Sequence, residues 1–137
     1  MPQGPPDLST TSRRFAVLAT RRRYSAPMRA LGLVQDQDPV DTPVWVHAWP
    51  EPGHELERLP EGLEGRETLG GTAAATVGGT AELATGDERT AQEGSSTRAD
   101  SVVLGGVEYE VVTSGQRRVG AGGVVTWQTF VVARVQR

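Results

Sequence analysis

Two histidines, His47 and His54, stand seven residues apart among Glu51, Glu55 and Glu57, and they are the only imidazoles in a chain of 137 residues. Two imidazoles and a carboxylate form a metal-ligand set on paper. No HExxH or comparable spacing presents them on one face, however, and a strand histidine beside a solvent-facing one accounts for the pair. Ser114 lies in Thr-Ser-Gly-Gln, with no G-x-S-x-G elbow and no histidine in its own segment, so a hydrolase's nucleophile and base do not come together. Glu108 and Glu110 share a face if they lie on a strand, which a solvated surface explains without a glycosidase. The glycine pairs are not phosphate loops, because that motif ends on a lysine and the chain has none. With no cysteine either, thiol nucleophiles, disulfides and zinc ribbons are excluded. The expectation is a protein without cofactor, metal or catalytic residues.

The remaining chemistry is that of binding. All 14 basic residues are arginine, a bias that codon usage explains more cheaply than a physical need for rigid, bidentate cations. Net charge is −3, yet Arg13, Arg14, Arg21, Arg22, Arg23 and Arg29 crowd the first thirty residues while acids dominate from Asp36 to Glu67. A basic head suits DNA or an acidic protein surface, against the plainer reading of a solvated strand edge. Trp45 and Trp49 share a face if their segment is a strand. They then form a sugar-stacking platform or, more simply, core or subunit-interface anchors.

The elements that must position these groups are mostly strands. The opening MPQGPPDLSTTS cannot bury enough surface to offset its ordering entropy, so residues 1–12 are expected to form a flexible arm that orders against a partner. Arg13 to Tyr24 reads as a strand apolar on both faces, and Ser25 to Thr42 as a loop or one helical turn, broken by Gly32 and Pro39. Val44 to Trp49 reads as a strand with Val44, Val46 and Ala48 on one face and Trp45, His47 and Trp49 on the other. Leu56 and Leu59 suit one or two helical turns. Gly105-Gly106 is a two-residue hairpin link between Val102–Leu104 and Val107–Val112, and Val124 to Val135 completes a three-stranded meander.

Between these parts, Thr68 to Thr97 is a low-complexity run of Gly, Ala, Thr and Ser. It reads as a long loop inserted at 68–98 in a single domain covering 13–137, with Gly70, Gly71, Val77, Gly78, Gly79 and Leu83 as candidates for a gating or joint-forming role. A hydrophobic fraction of 36% with 17 Gly and 9 Pro implies a small core. The fold expected is mainly β: a small antiparallel β-barrel or sandwich with a short helix, the long loop and the flexible N-terminal arm. No stretch is long and apolar enough for a membrane helix, and the first residues lack a secretory apolar region, so a soluble protein made in the cytoplasm is expected.

Two segments carry a resemblance. Glu55-Leu56-Glu57-Arg58-Leu59-Pro60-Glu61-Gly62, followed by Gly65-Arg66-Glu67, and then Ala99-Asp100-Ser101-Val102-Val103-Leu104-Gly105-Gly106-Val107-Glu108-Tyr109-Glu110-Val111, occur in the order found in a family of tailed-bacteriophage head-tail connector proteins. Over about Arg13 to Arg137 the chain resembles its head-completion, or stopper, members. The glycine- and alanine-rich stretch is longer here than that pattern leads one to expect.

The resemblance implies a β-barrel subunit of a six- or twelve-fold ring in the virion neck, assembled in the host cytoplasm. Its implied partners are a portal adaptor above, tail terminator or tail proteins below, and packaged double-stranded DNA in the channel. Arg21, Arg22 and Arg23 are then candidate contacts to a ring neighbour or DNA, and deletion of Gly70 to Thr90 is expected to leave a folded subunit that cannot seal heads. A tail terminator or tail-completion ring protein is the alternative, with a carbohydrate-binding module on Trp45 and Trp49 further off and a hydrolase last.

Overall fold

The computed structural model describes residues 15–50 and 66–135. The arm 1–12, His54, the Leu56–Leu59 helix and the Glu55–Gly62 segment lie outside them. The described chain runs β1 (Val17–Arg23), β2 (Met28–Ala30), β3 (Leu33–Gln35), β4 (Val40–Pro50), β5 (Thr68–Ala74), α1 (Gly86–Glu93), β6 (Ser101–Leu104), β7 (Val107–Val119), a 3-10 turn at Ala121–Gly123, and β8 (Val125–Arg134). Six strands close a barrel in the order β1-β4-β5-β8-β7-β6. Each pairs antiparallel with its neighbour, and β6 returns to β1. The expected mainly β architecture, an antiparallel barrel with one short helix, is what the chain forms. Closure also removes the open sheet edges that invite aggregation.

Alternation sets the inside. Ala19, Val44, Val46, Ala73, Val102, Val111, Phe130 and Val132 point inward and are buried, as a period of two requires. The Gly105-Gly106 link forms the tight turn between β6 and β7 with φ of 56° and 82°, the pair of positive values that a type I′ turn demands. The expected meander stands as β6-β7-β8.

Two expectations are corrected. Ser25 to Thr42 is neither a plain loop nor a helical turn, because it contains the β2–β3 ribbon, turned at Leu31-Gly32 where both residues have positive φ. Thr68 to Thr97 is not a structureless insertion: its first seven residues are the barrel strand β5, and α1 lies further along. Gly70 and Gly71, offered as gating residues, are therefore barrel wall.

Small residues make a strand at β5 because large neighbours cover them. Inside, Gly71 lies beneath the Phe130 ring, and a Cβ there would sit 2.5 Å from the His47 carbonyl oxygen and 2.7 Å from Phe130 Cζ. Outside, Ala74 is flanked by Trp45 on β4 and Trp127 on β8, and Gly70 by Trp49 and Val131. Strand preference is largely a preference for fitting such neighbours, which composition by itself does not reveal.

Gly71→Ala is expected to cost about 1–3 kcal/mol by overpacking, read as a lower urea midpoint at unchanged slope. Val77→Ala, at a fully exposed turn, should stay within about 0.5 kcal/mol.

Candidate functional site

The arginine triplet ends β1 at one rim of the barrel. Arg21 and Arg23 follow the inward parity of Ala19, whereas Arg22 points out. Arg23 donates to both oxygens of Asp100, Nε to Oδ1 at 2.9 Å and Nη2 to Oδ2 at 2.7 Å, and also to Glu82 at 2.8 Å. Arg21 donates to the Thr42 hydroxyl and to the Glu82 carbonyl. Arg22 makes a two-pronged pair with Asp41 and reaches Glu108. The triplet was a candidate for DNA or ring contacts, but it binds carboxylates within its own subunit, since inward-facing charges at a closing rim require partners.

Asp100 gathers these contacts. It is 0% exposed, accepts from the Ala84 N–H as well as from Arg23, and its backbone bonds to Ala84 and Val111. Arg89 of α1, also buried, brings Nε to 3.7 Å from Asp100 Oδ1 and donates to the Tyr24 carbonyl and to Glu93. A second clasp uses Gln128 on β8. Its side-chain amide accepts from the Leu83 N–H and donates to the Leu83 carbonyl, as a neighbouring strand would. Arg117 then ties Gln128, the Leu83 carbonyl and Glu88 together.

These clasps hold the segment after β5 over the rim. Ala81, Leu83 and Ala84 are fully buried, and Leu83 belongs to the barrel's apolar core. Helix α1 follows, opened by a capping box in which Thr85 and Glu88 satisfy one another's N–H groups, and closed by Gly94 in the left-handed region. Leu83, expected on a projecting loop, is thus a plug, and only the turn at Val77 and Gly78 remains exposed, with Gly79 half-buried beside it. Deleting Gly70 to Thr90 removes a barrel strand, the plug and half the helix, so the folded deletion expected from sequence is not available.

Electrostatics follow the same contacts. Burial pulls the Arg21 guanidinium below its ordinary value, with Arg23 pushing the same way. Burial also works against charge on Arg23, but hydrogen bonds to Asp100 and Glu82 outweigh it and hold that pKa high. For Glu82, burial opposes ionisation, yet Arg23 keeps the carboxyl below the usual range. For Glu88, the Ser114 hydroxyl, the Thr85 N–H and Arg117 overcome burial in the same direction.

A different surface lies on the outer face of β4. Trp45, His47 and Trp49 alternate outward, with the His47 and Trp49 rings edge to face at 5.2 Å and Phe15 at 6.0 Å from His47. Trp45 is half-buried opposite Leu18, and Trp49 is 41% exposed. The two tryptophans share the face read for them, separated by a histidine, so they are no continuous stacking platform. Among the described residues no group of three or more His, Asp or Glu could hold a metal ion.

In comparison with known proteins, no family model and no curated sequence matches the chain. The residues that organise the rim, Asp100, Glu82, Arg89, Arg117 and Gln128, were not singled out from sequence, although Thr85-Gly-Asp-Glu88 carries a readable capping-box signal.

Asp100→Asn should destabilise toward the lower end of the about 3–5 kcal/mol that removing one partner from a buried pair costs, because Arg23 retains Glu82. Hydrogen exchange should speed first at 81–93. Acid should act similarly: the depressed pKa values of Glu82 and Glu88 stabilise the fold above the unfolded carboxylate range and lose that contribution as pH falls through the folded values. Proteolytic cleavage within 75–97 is therefore expected to rise below about pH 4 and not between pH 6 and 8.

Proposed function

We propose that the chain is a structural subunit of a tailed-phage head-to-tail connector ring, of the head-completion or stopper type, that seals packaged DNA and docks the tail. The observation that carries this reading is the role taken by the second resembling segment. Ala99 to Val111 supplies β6, its Gly-Gly turn and the start of β7, and the Asp of that segment is Asp100, around which the rim is assembled. The segment's acidic residue is thereby occupied in architecture rather than displayed for chemistry. Exposed apolar side chains at Leu18, Met28, Leu31, Leu33, Val34 and Trp49 suit a subunit finished by assembly.

With Leu83 filling the barrel, DNA in this reading passes through the ring of subunits and not through any one barrel. The exposed Val77–Gly78 turn, rather than the whole of 68–97, is then the part of the gating segment available to a channel or a neighbouring ring. A tail terminator would use the same kind of subunit, and location separates the two.

Imaging of virions carrying a tagged copy is expected to place the chain between portal adaptor and tail, and purified protein should bind portal-adaptor assemblies. A chain absent from the particle, or one that binds glycans and loses that binding on Trp49→Ala, would overturn the reading.

A further inference from the structure

The β1–β4 pair does not stop at the barrel. Arg23 lies opposite Val40 at the rim, and Met28 lies opposite Gln35 beyond it. Tyr24 to Pro27 on one side and Asp36 to Pro39 on the other are the same number of residues, so β2–β3 continues the β1–β4 ladder without a shift of register. Gln37 Nε2 closes the ribbon's base on the Ala26 carbonyl at 2.8 Å. The result is one long hairpin whose outer part stands off the barrel by roughly 20 Å, judged from the rise of an extended strand from Tyr24 to Ala30.

This ribbon pairs with no other described strand, and its side chains are unusually apolar for their exposure. Leu31 at the tip is 100% exposed, and Met28, Leu33 and Val34 are exposed behind it. Strand alternation puts Met28 and Leu33 on one face and Arg29 and Val34 on the other. A lone two-stranded ribbon is marginal in water, and apolar residues concentrated there are the composition of a surface meant to be covered.

A second exposed apolar surface lies on the same two strands at the other end of the barrel. It comprises Leu18 on β1 and Trp49 on β4, with Val17 and Phe15 alongside. We propose that the β2–β3 ribbon of one copy docks on the Leu18–Trp49 surface of a second copy, as the repeating joint of a homo-oligomer. A ribbon-to-ribbon contact would leave Leu18 and Trp49 in water, whereas one head-to-tail contact covers both surfaces of every copy. Such a heterologous contact closes into a ring when its rotation closes. The joint names the partner in the ring-subunit reading and rests on that reading for closure.

The absence of native cysteine allows a direct test. Chains carrying Leu31→Cys are mixed with chains carrying Leu18→Cys under mild oxidation, and disulfide-linked dimers are scored on a non-reducing gel. Within one chain, Leu18 and Leu31 are separated by roughly 30 Å or more of strand, far beyond the about 7 Å that a disulfide spans between Cα atoms, so only a joint between copies links them. The mixture is expected to give several-fold more dimer than either variant alone, and the double variant should give ladders. Sedimentation of Leu31→Asp with Leu33→Asp, both at exposed sites, should show monomers with an unchanged thermal midpoint.

Cross-linking no greater in the mixture than in Leu31→Cys alone, or full assembly by the aspartate variant, overturns the joint. Rings that form without the 31–18 cross-link overturn it while leaving the ring reading intact. The cross-link without binding to portal-adaptor assemblies supports the joint and counts against the connector reading.

Discussion

A single carboxylate, Asp100, lets the rim of this barrel close. It has no access to solvent, and an ion in that position persists only when its lone pairs are filled by strong donors in good geometry. Arg23 fills two of them in a bidentate pair and the Ala84 N–H takes another, while Arg89 adds charge from α1. Four parts of the chain that lie far apart in sequence meet there: the end of β1, the extended segment 81–84, the helix and the start of β6. Register and orientation of all four are fixed by the requirement that none of these charges be left alone.

The core inside that rim is made of small parts. Valine and alanine dominate, with Phe130, Tyr109 and Leu83 as the larger pieces. Such a barrel fills only because a glycine on one strand makes room for a ring on the next and because a side chain from the covering segment enters from above. Sparse composition and complete closure are therefore compatible: apolar atoms are few, but the strands leave little space to fill.

Much of this was readable in the residues. The alternation in Val44 to Trp49 and the Gly105-Gly106 link report directly on strand and turn, because period and positive φ are local properties. The strand at Thr68 to Ala74 was not readable, since its stability comes from Phe130, Trp45, Trp49 and Trp127, which lie on other strands. The same holds for the arginine triplet. As a sequence it resembles a basic patch; in the fold, alternation turns two of its members inward to acids dozens of residues away. The ribbon at Met28 to Gln35 was concealed by Gly32 and Pro39, which read as breakers although one is a turn residue and the other precedes a strand.

The unbroken register from barrel into ribbon has a mechanical side. A pull on the tip at Leu31 draws β1 and β4 along their own axes together, so it does not peel one from the other. Load passes instead to the ladders that flank them, β6 on one side and β5 on the other, where hydrogen bonds perpendicular to the strands are strained in shear as a set rather than opened one at a time. A subunit held by this ribbon resists tension with its barrel wall, and its lifetime under force is set by the rate at which those two ladders slip.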